Sequence, residues 1–298
     1  MALIDKLTAI ANGFRTSRGT TTKLTLDEMA VLAAEPTGGG ESGDNRLAKV
    51  IDGSATEITA SDLEGATQIR DYAFYNAKNL TSVEMPNSVT SIGQQAFYSC
   101  SYLKSVTIGS GVTSIGDRAF DKCNLMPSID IPNGVTSIGG YAFNNCSYLS
   151  SVTFAENSKL NRIDATAFQD CTRLTSIELP ESVTSIGSYA FAYCSKLTSV
   201  KFAENSKLTS IGDRTFINCA ALTSIEIPSG VTNIRTYTFS GCSKLASVTI
   251  NAETAPTLEN VSAFNNVPTT CIFYVKNLDS YNSTNWVAIR DTYTFVEI

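Results

Sequence analysis

The sequence predicts an α/β-type repeat solenoid: a right-handed superhelix with one parallel sheet, short helical turns opposite, and a small helical hairpin in front. The first observation is that phenylalanine recurs in steps of 23 or 25 residues, at Phe74, Phe97, Phe120, Phe143, Phe168, Phe191, Phe216 and Phe239, with a degenerate ninth copy at Phe264. The second is the surrounding consensus, V-T-S-I-G-x-x-A-F-x-x-C-S-x-L-T-S-V-x-I-P, which fills roughly residues 66 to 257. Such self-similarity is the signature of stacked units that cannot bury their apolar sides alone.

Each repeat combines a strand with a turn. The segment Leu103-x-x-Val106-x-Ile108 is the L-x-x-L-x-L pattern of leucine-rich repeats, and its alternation predicts one short strand with the apolar side turned inward. A residue without an N–H can end a strand ladder, and proline follows the predicted strands at Pro86, Pro132, Pro180 and Pro228. The segment Ala-Phe-x-x-Cys-x-x-Leu spaces its apolar residues at i, i+3, which predicts a helical turn opposite the strand.

The repeats resemble the BspA-type (Treponema-type) leucine-rich repeats, whose units read much like LTSIEIPSGVTNIRTYTFSGCSKL at residues 222–245. In-phase copies carry this resemblance over about two-thirds of the chain. The resemblance implies a non-enzymatic, adhesin-like binding module that recognises a protein or glycan on a cell surface or matrix, without a cofactor. The tail at 271–298 resembles the closing cap of such arrays. We therefore expect a solenoid over residues 49–257 and a degenerate repeat with a cap over 258–298.

The recurring cysteine is interpreted as a packing position. The first repeat places Ala77 in the cysteine column, and alanine and cysteine are both small and apolar. A disulfide framework prefers varied spacings, and a zinc site needs clustered ligands such as C-x-x-C. The predicted column of buried free thiols consists of Cys100, Cys123, Cys146, Cys171, Cys194, Cys219 and Cys242. Cys271 is out of phase and receives no role.

The first 48 residues differ from the repeats. Apolar residues between positions 3 and 14 fit one face of a helix, and Thr25-x-x-Glu28 is a capping box that predicts a second helix from about residue 26. Pro36 and the glycines at 38–40 predict a linker over residues 37–48. The segment IDKLTAIANGFRTSRGTTTKLTLDEMAVLAAE resembles N-terminal modules of phage and prophage tail-associated proteins of Gram-positive gut bacteria. That resemblance implies an attachment segment over residues 1–36; a helical hairpin capping the front of the solenoid is the alternative.

Composition excludes several classes of function. The chain has no histidine, so His-assisted serine or cysteine catalysis is excluded and the most common metal ligand is missing. A net charge of −6 and a pI near 4.8 argue against nucleic acid or an anionic membrane as partner. No apolar run is long enough to span a membrane, and the N-terminus lacks the pattern of a signal peptide. We expect cytoplasmic synthesis, followed by virion or tail incorporation or by non-classical surface exposure.

The outward position of each predicted strand alternates in charge. In chain order it reads Glu84, Thr107, Asp130, Thr153, Glu178, Lys201, Glu226 and Thr249. This alternation keeps like charges apart on stacked coils, which explains the pattern without a catalytic carboxylate pair or a calcium loop. No catalytic, cofactor-binding or metal-ligating residue is therefore predicted.

Tyrosines are the candidate partner-binding residues, because an exposed tyrosine offers rigid contact area with a polar end. Those at the variable positions of Phe-x-x-Cys-x-x-Leu are Tyr75, Tyr98, Tyr102, Tyr148 and Tyr193. Those that recur in phase before Ala/Thr-Phe, and are expected to pack locally, are Tyr72, Tyr141, Tyr189 and Tyr237. We expect Tyr75, Tyr98 and Tyr102 to form a contact patch, with the last two adjacent on a helical turn. A tail-associated receptor-binding component and a structural spacer are the alternative functions.

Overall fold

The computed structural model describes residues 56–298, so the expected hairpin over 1–36 and the linker over 37–48 lie outside the described residues. From about residue 66 the chain winds into stacked coils, which we number 1 to 8 by their phenylalanines from Phe74 to Phe239. Each coil contains a two-residue strand, a turn segment that carries the phenylalanine, and a longer strand. This arrangement confirms the predicted repeat solenoid.

The longer strands form one side of the solenoid, the long-strand face. Numbered in chain order, they are β1 (Glu57–Ile58), which precedes coil 1, β3 (Ser82–Glu84), β5 (Ser105–Thr107), β7 (Ser128–Ile131), β9 (Ser151–Phe154), β11 (Ser176–Leu179), β13 (Ser199–Phe202), β15 (Ser224–Ile227) and β17 (Ser247–Ile250). They pair in parallel and in register. The sheet continues beyond β17, which pairs with the first of two strands of the C-terminal cap. This face is the predicted parallel sheet, interrupted between β5 and β7 and between β9 and β11.

The first interruption coincides with a proline. Lys104, which precedes β5, donates its N–H to the Thr81 carbonyl of the coil before it at 2.8 Å. Pro127 holds the equivalent position before β7 and has no N–H to donate to coil 2. The break in the ladder at this coil therefore coincides with the loss of one donor at the entry to the strand, whereas Thr175 precedes β11 at the second break.

The two-residue strands form a second parallel side of the solenoid, the short-strand face, whereas the repeat pattern predicted one parallel sheet. They are β2 (Gln68–Ile69), β4 (Ser91–Ile92), β6 (Ser114–Ile115), β8 (Ser137–Ile138), β10 (Arg162–Ile163), β12 (Ser185–Ile186), β14 (Ser210–Ile211), β16 (Asn233–Ile234) and β18 (Thr257–Leu258). Seven of them, β2 to β14, form one sheet, and β16 pairs with β18. Threonine hydroxyls reinforce this face, as where Thr113 Oγ1 donates to the Thr90 carbonyl at 3.0 Å. A two-residue strand is too short to show an alternating pattern, so this sheet left no periodic signal.

The turn segments form the third side, the turn face, and they are overlapping β-turns rather than the expected helical turns. Ala77 N–H donates to the Phe74 carbonyl within the coil at 3.2 Å, but Phe74 N–H donates to Ala96 of the next coil at 2.7 Å. Tyr72 and Asn76 have φ values of 62° and 60°, which no right-handed helix contains. Consecutive turns present every third or fourth residue inward, as a helix does, so the spacing alone could not distinguish the two.

The core is a ladder of phenylalanine rings. Successive rings from Phe74 to Phe264 stack with centroids 5.1 to 5.7 Å apart and interplanar angles of 0° to 15°. The ladder buries one large side chain per coil against both neighbours, so no coil has a complete core of its own. Centroid separations in this range are typical of favourable aromatic stacking.

The C-terminal end of the stack is closed by a cap. The cap follows a 3₁₀ turn at Val261–Phe264 and contains β19 (Ile272–Val275), a 3₁₀ turn at Leu278–Ser280, helix α1 (Thr284–Arg290) and β20 (Thr294–Glu297); another 3₁₀ turn, Ala60–Leu63, lies ahead of coil 1. Trp286 of α1 is buried and donates Nε1–H to the Pro256 carbonyl at 2.7 Å. Within residues 56–298 no helix is long and apolar enough to cross a lipid bilayer.

Candidate binding surface

The structure places all eight cysteines in the interior as free thiols. In each of the seven columnar cysteines the S–H group donates to the phenylalanine carbonyl of the preceding coil, as where Cys100 Sγ lies 3.0 Å from Phe74 O. Burial raises the pKa of the Cys100 thiol to about 12 and that of Cys271 to about 11. These thiols are therefore protonated at neutral pH, which suits packing and not nucleophilic attack or metal binding.

The outward-facing side chains of the long-strand face form no metal site within the described residues. Asp130 accepts a hydrogen bond from Thr153 Oγ1, its neighbour one coil on. The depression beside them measures about 210 Å³ and is lined by Val106, Ile131 and other strand residues. Among the described residues no three side chains of His, Cys, Asp or Glu are grouped closely enough to hold a metal ion.

The exposed aromatic side chains of residues 56–298 all lie on the turn face. They are Tyr72, Tyr75, Tyr102, Tyr141, Tyr148 and Tyr193. Three of the predicted partner-binding residues on coils 1 to 4, Tyr75, Tyr102 and Tyr148, are in this set, and Tyr98 is half-buried among them. Within residues 56–298 the turn face is therefore the aromatic surface, while the outward column of the long-strand face presents acidic and hydroxyl side chains together with Lys201.

Tyr75 and Tyr98 form a stacked pair across coils 1 and 2. Their ring centroids are 4.9 Å apart with an interplanar angle of 8°, and Tyr72 leans on Tyr75 at 6.0 Å. Lys122 of coil 3 donates Nζ–H to Tyr98 Oη at 2.7 Å. The pair follows from register, because both tyrosines come directly after a ladder phenylalanine. The ring faces turned toward each other are covered, so the pair presents mainly ring edges and hydroxyl groups to solvent.

Tyr102 has the largest exposed fraction of these tyrosines, 55%, and no ring or cation contact within the described residues. It does not join the stack as a helical neighbour of Tyr98, because the segment between them is a β-turn. Tyr148, two coils away in the same column, is covered on one face by the Arg173 guanidinium at 3.6 Å. Tyr193 is separate, on coil 6.

Three of the four tyrosines that recur in phase contact arginines, whereas Tyr72 contacts Tyr75. Arg118 lies over the Tyr141 ring at 4.1 Å. Arg214 is placed between two rings, 5.5 Å from Tyr189 and 4.8 Å from Tyr237. These cation–π contacts join neighbouring coils, so this column contributes to the stack as well as to the surface.

A buried polar cluster that the repeat pattern did not predict lies beside the tyrosine pair. Asp121 is fully buried, forms an ion pair with Arg118 at 3.0 Å and accepts a hydrogen bond from Asn144 Nδ2 at 2.9 Å. Burial raises the pKa of the Asp121 carboxyl, against the hydrogen bond from Asn144 and the positive charge of Arg118, which lower it. Asp121 and Asn144 each follow a ladder phenylalanine, so alignment of that column was the signal that could have placed them together.

Comparison with known proteins agrees with this architecture. The sequence model of the family described as BspA type leucine rich repeat region matches six copies over residues 67–171 and 161–287. No curated protein matches the chain. The match begins after the N-terminal segment, so the resemblance of that segment to phage-tail modules rests on its sequence alone.

Several solved structures are also similar to the chain. The leucine rich repeat protein of T. pallidum is 31% identical, with 53% of this chain and 72% of that chain covered and a TM-score of 0.48. A leucine rich cell surface protein of Faecalibacterium prausnitzii is 27% identical over 85% of this chain and 72% of that chain, with a TM-score of 0.45. Because the family model matches well over half of the sequence, the chain belongs to the BspA-type leucine-rich repeat family.

Proposed function

We propose that the chain is a non-enzymatic protein-binding module and that its partner contacts the turn face of coils 1 and 2. The observation that carries this proposal is the concentration of exposed tyrosines on one face, with Tyr75, Tyr98 and Tyr102 on adjacent coils. Large, rigid aromatic side chains with a polar end dominate the contact energy of protein interfaces. The partner is proposed to lie on a cell surface or in an extracellular matrix.

A protein fits this patch better than a glycan does. Sugar rings bind aromatic side chains face to face, and Tyr102 is the one patch tyrosine with an uncovered ring, because the faces of Tyr75 and Tyr98 are turned toward each other at 4.9 Å. Hydroxyl groups and ring edges remain available, and these suit the hydrogen-bonding and apolar groups of a polypeptide. A structural spacer would have uniform coils, whereas the aromatic character of the turn face is confined to particular coils.

The test is a variant with Tyr75→Ser, Tyr98→Ser and Tyr102→Ser, measured for binding to a solubilised extract of matrix and cell-surface proteins. The matched control replaces three of the four in-phase tyrosines, Tyr141, Tyr189 and Tyr237, by serine. We expect the patch variant to lose at least tenfold in affinity, because removal of a few interface anchors accounts for most of the binding energy. The control variant should keep its affinity.

Treatment of the extract separates the ligand classes. Protease should abolish binding of the unmodified chain, and enzymatic deglycosylation should leave it intact. Binding that survives protease and disappears on deglycosylation would contradict a protein partner, and equal binding by the patch variant would place the contact on another face.

A further inference from the structure

Lysines surround the tyrosine patch on an otherwise acidic protein. Lys78 and Lys104, on coils 1 and 2, are exposed and form no ion pair with another residue in 56–298. Lys78 directly precedes the residue of coil 1 that aligns with Tyr102 of coil 2. Lys104 follows Tyr102 by two positions. Lys122 adds a third ammonium group, held against Tyr98 Oη at 2.7 Å.

The carboxylates on the same turns are already engaged within the coil stack. Asp71 Oδ1 accepts a hydrogen bond from Gln94 N–H at 2.7 Å. Asp117 Oδ1 does the same for Gly140 N–H at 2.8 Å. Asp121 is buried and ion-paired. On the turn segments of coils 1 and 2, Asp71 is the one carboxylate against the ammonium groups of Lys78 and Lys104, so the region around the tyrosines carries an excess of positive charge although the chain as a whole has a net charge of −6.

We infer that the patch recognises an acidic segment of a protein partner, in which carboxylates pair with Lys78, Lys104 and Lys122 and apolar or aromatic side chains pack on Tyr75, Tyr98 and Tyr102. This inference rests on the proposed function and specifies the ligand chemistry. Opposite charges around an aromatic centre select the partner and speed its association, while the aromatic contacts supply most of the affinity. On coils 1 to 3 the long-strand face carries Glu84 and Asp130, which repel the same segment, so the charge pattern also selects the face.

The test uses two fluorescent peptides of equal length, one of alternating glutamate with tyrosine and leucine, the other with glutamine in place of glutamate. Fluorescence polarisation with the full chain should show at least tenfold tighter binding of the acidic peptide at low salt, and this preference should shrink as salt is added. The double variant Lys78→Glu/Lys104→Glu should lose about tenfold in affinity for the acidic peptide. The control Lys196→Glu/Lys244→Glu, on exposed lysines of coils 6 and 8, should bind it as the unmodified chain does.

Four outcomes would overturn the inference: absence of acidic-peptide binding, equal binding of both peptides, equal loss in the control, or binding of dextran sulfate without binding of the acidic peptide. The last would assign the lysines to an anionic polysaccharide. The proposed function is tested separately. If the tyrosine variant loses its partner from the extract while the Lys78→Glu/Lys104→Glu variant retains it, the charge inference fails and the protein-binding function stands.

Discussion

Left-handed backbone conformation occurs at two turn positions in each of the eight coils, and the residues that adopt it differ in how well they tolerate it. Asparagine is the residue best suited to this conformation after glycine, and it is found at Asn76, Asn145 and Asn218. Thr166 has a φ of 65° and is the one β-branched residue with a positive φ in the part of the chain that the structure describes. Its branched Cβ is crowded by the backbone there, so the position stores strain that the stacked coils hold in place.

We expect Thr166→Asn to raise the free energy of unfolding by about 1 kcal/mol, because asparagine relieves this strain. The reciprocal change, Asn145→Thr at a φ of 55°, should lower the free energy of unfolding by a similar amount. Urea denaturation followed by circular dichroism measures both. A destabilised Thr166→Asn variant would show that the threonine methyl group contributes more by packing than it costs in strain.

The thiols of the cysteine column have pKa values in the folded chain that differ strongly from the pKa of a thiol in water. Burial raises the pKa of the Cys100 and Cys242 thiols to about 12, from the ordinary value of 9.0, and raises those of the other columnar thiols as well. In the unfolded chain each thiol releases its proton above pH 9, whereas in the folded chain it keeps it. The stability from the buried thiols is therefore complete below pH 9 and is lost as the pH rises from 9 toward 12.

Each buried thiol should lower the free energy of unfolding by about 1.4 kcal/mol per pH unit above pH 9. A variant with Cys123→Ala, Cys171→Ala and Cys219→Ala should lose stability at neutral pH but show a shallower decline above pH 9. Urea titrations between pH 7 and pH 11 compare the two slopes, with a reductant present throughout. Equal slopes would mean that the columnar thiols do not control the alkaline limit.

The whole molecule shows which parts of a repeat protein its sequence can predict. Stacking in register converts each repeated residue into a column, so the phenylalanine ladder and the thiol column follow directly from the period. The short-strand face and the β-turns did not follow, because two-residue strands have no alternation and turns share the spacing of a helix. The Asp121–Asn144 contact joins residues on neighbouring coils. Within the sequence of one coil, each of them resembles an ordinary surface residue, so the contact is visible only when neighbouring coils are aligned.

The central claim is that a protein partner contacts the turn face of coils 1 and 2, and site-specific photo-crosslinking tests it most directly. The photoreactive residue p-benzoylphenylalanine replaces Tyr102 on the turn face or Thr107, an exposed residue of the same coil on the long-strand face. We predict that the Tyr102 variant forms a protease-sensitive crosslink with a protein of the matrix and cell-surface extract and that the Thr107 variant forms none. A crosslink from Thr107 and none from Tyr102 would contradict the account.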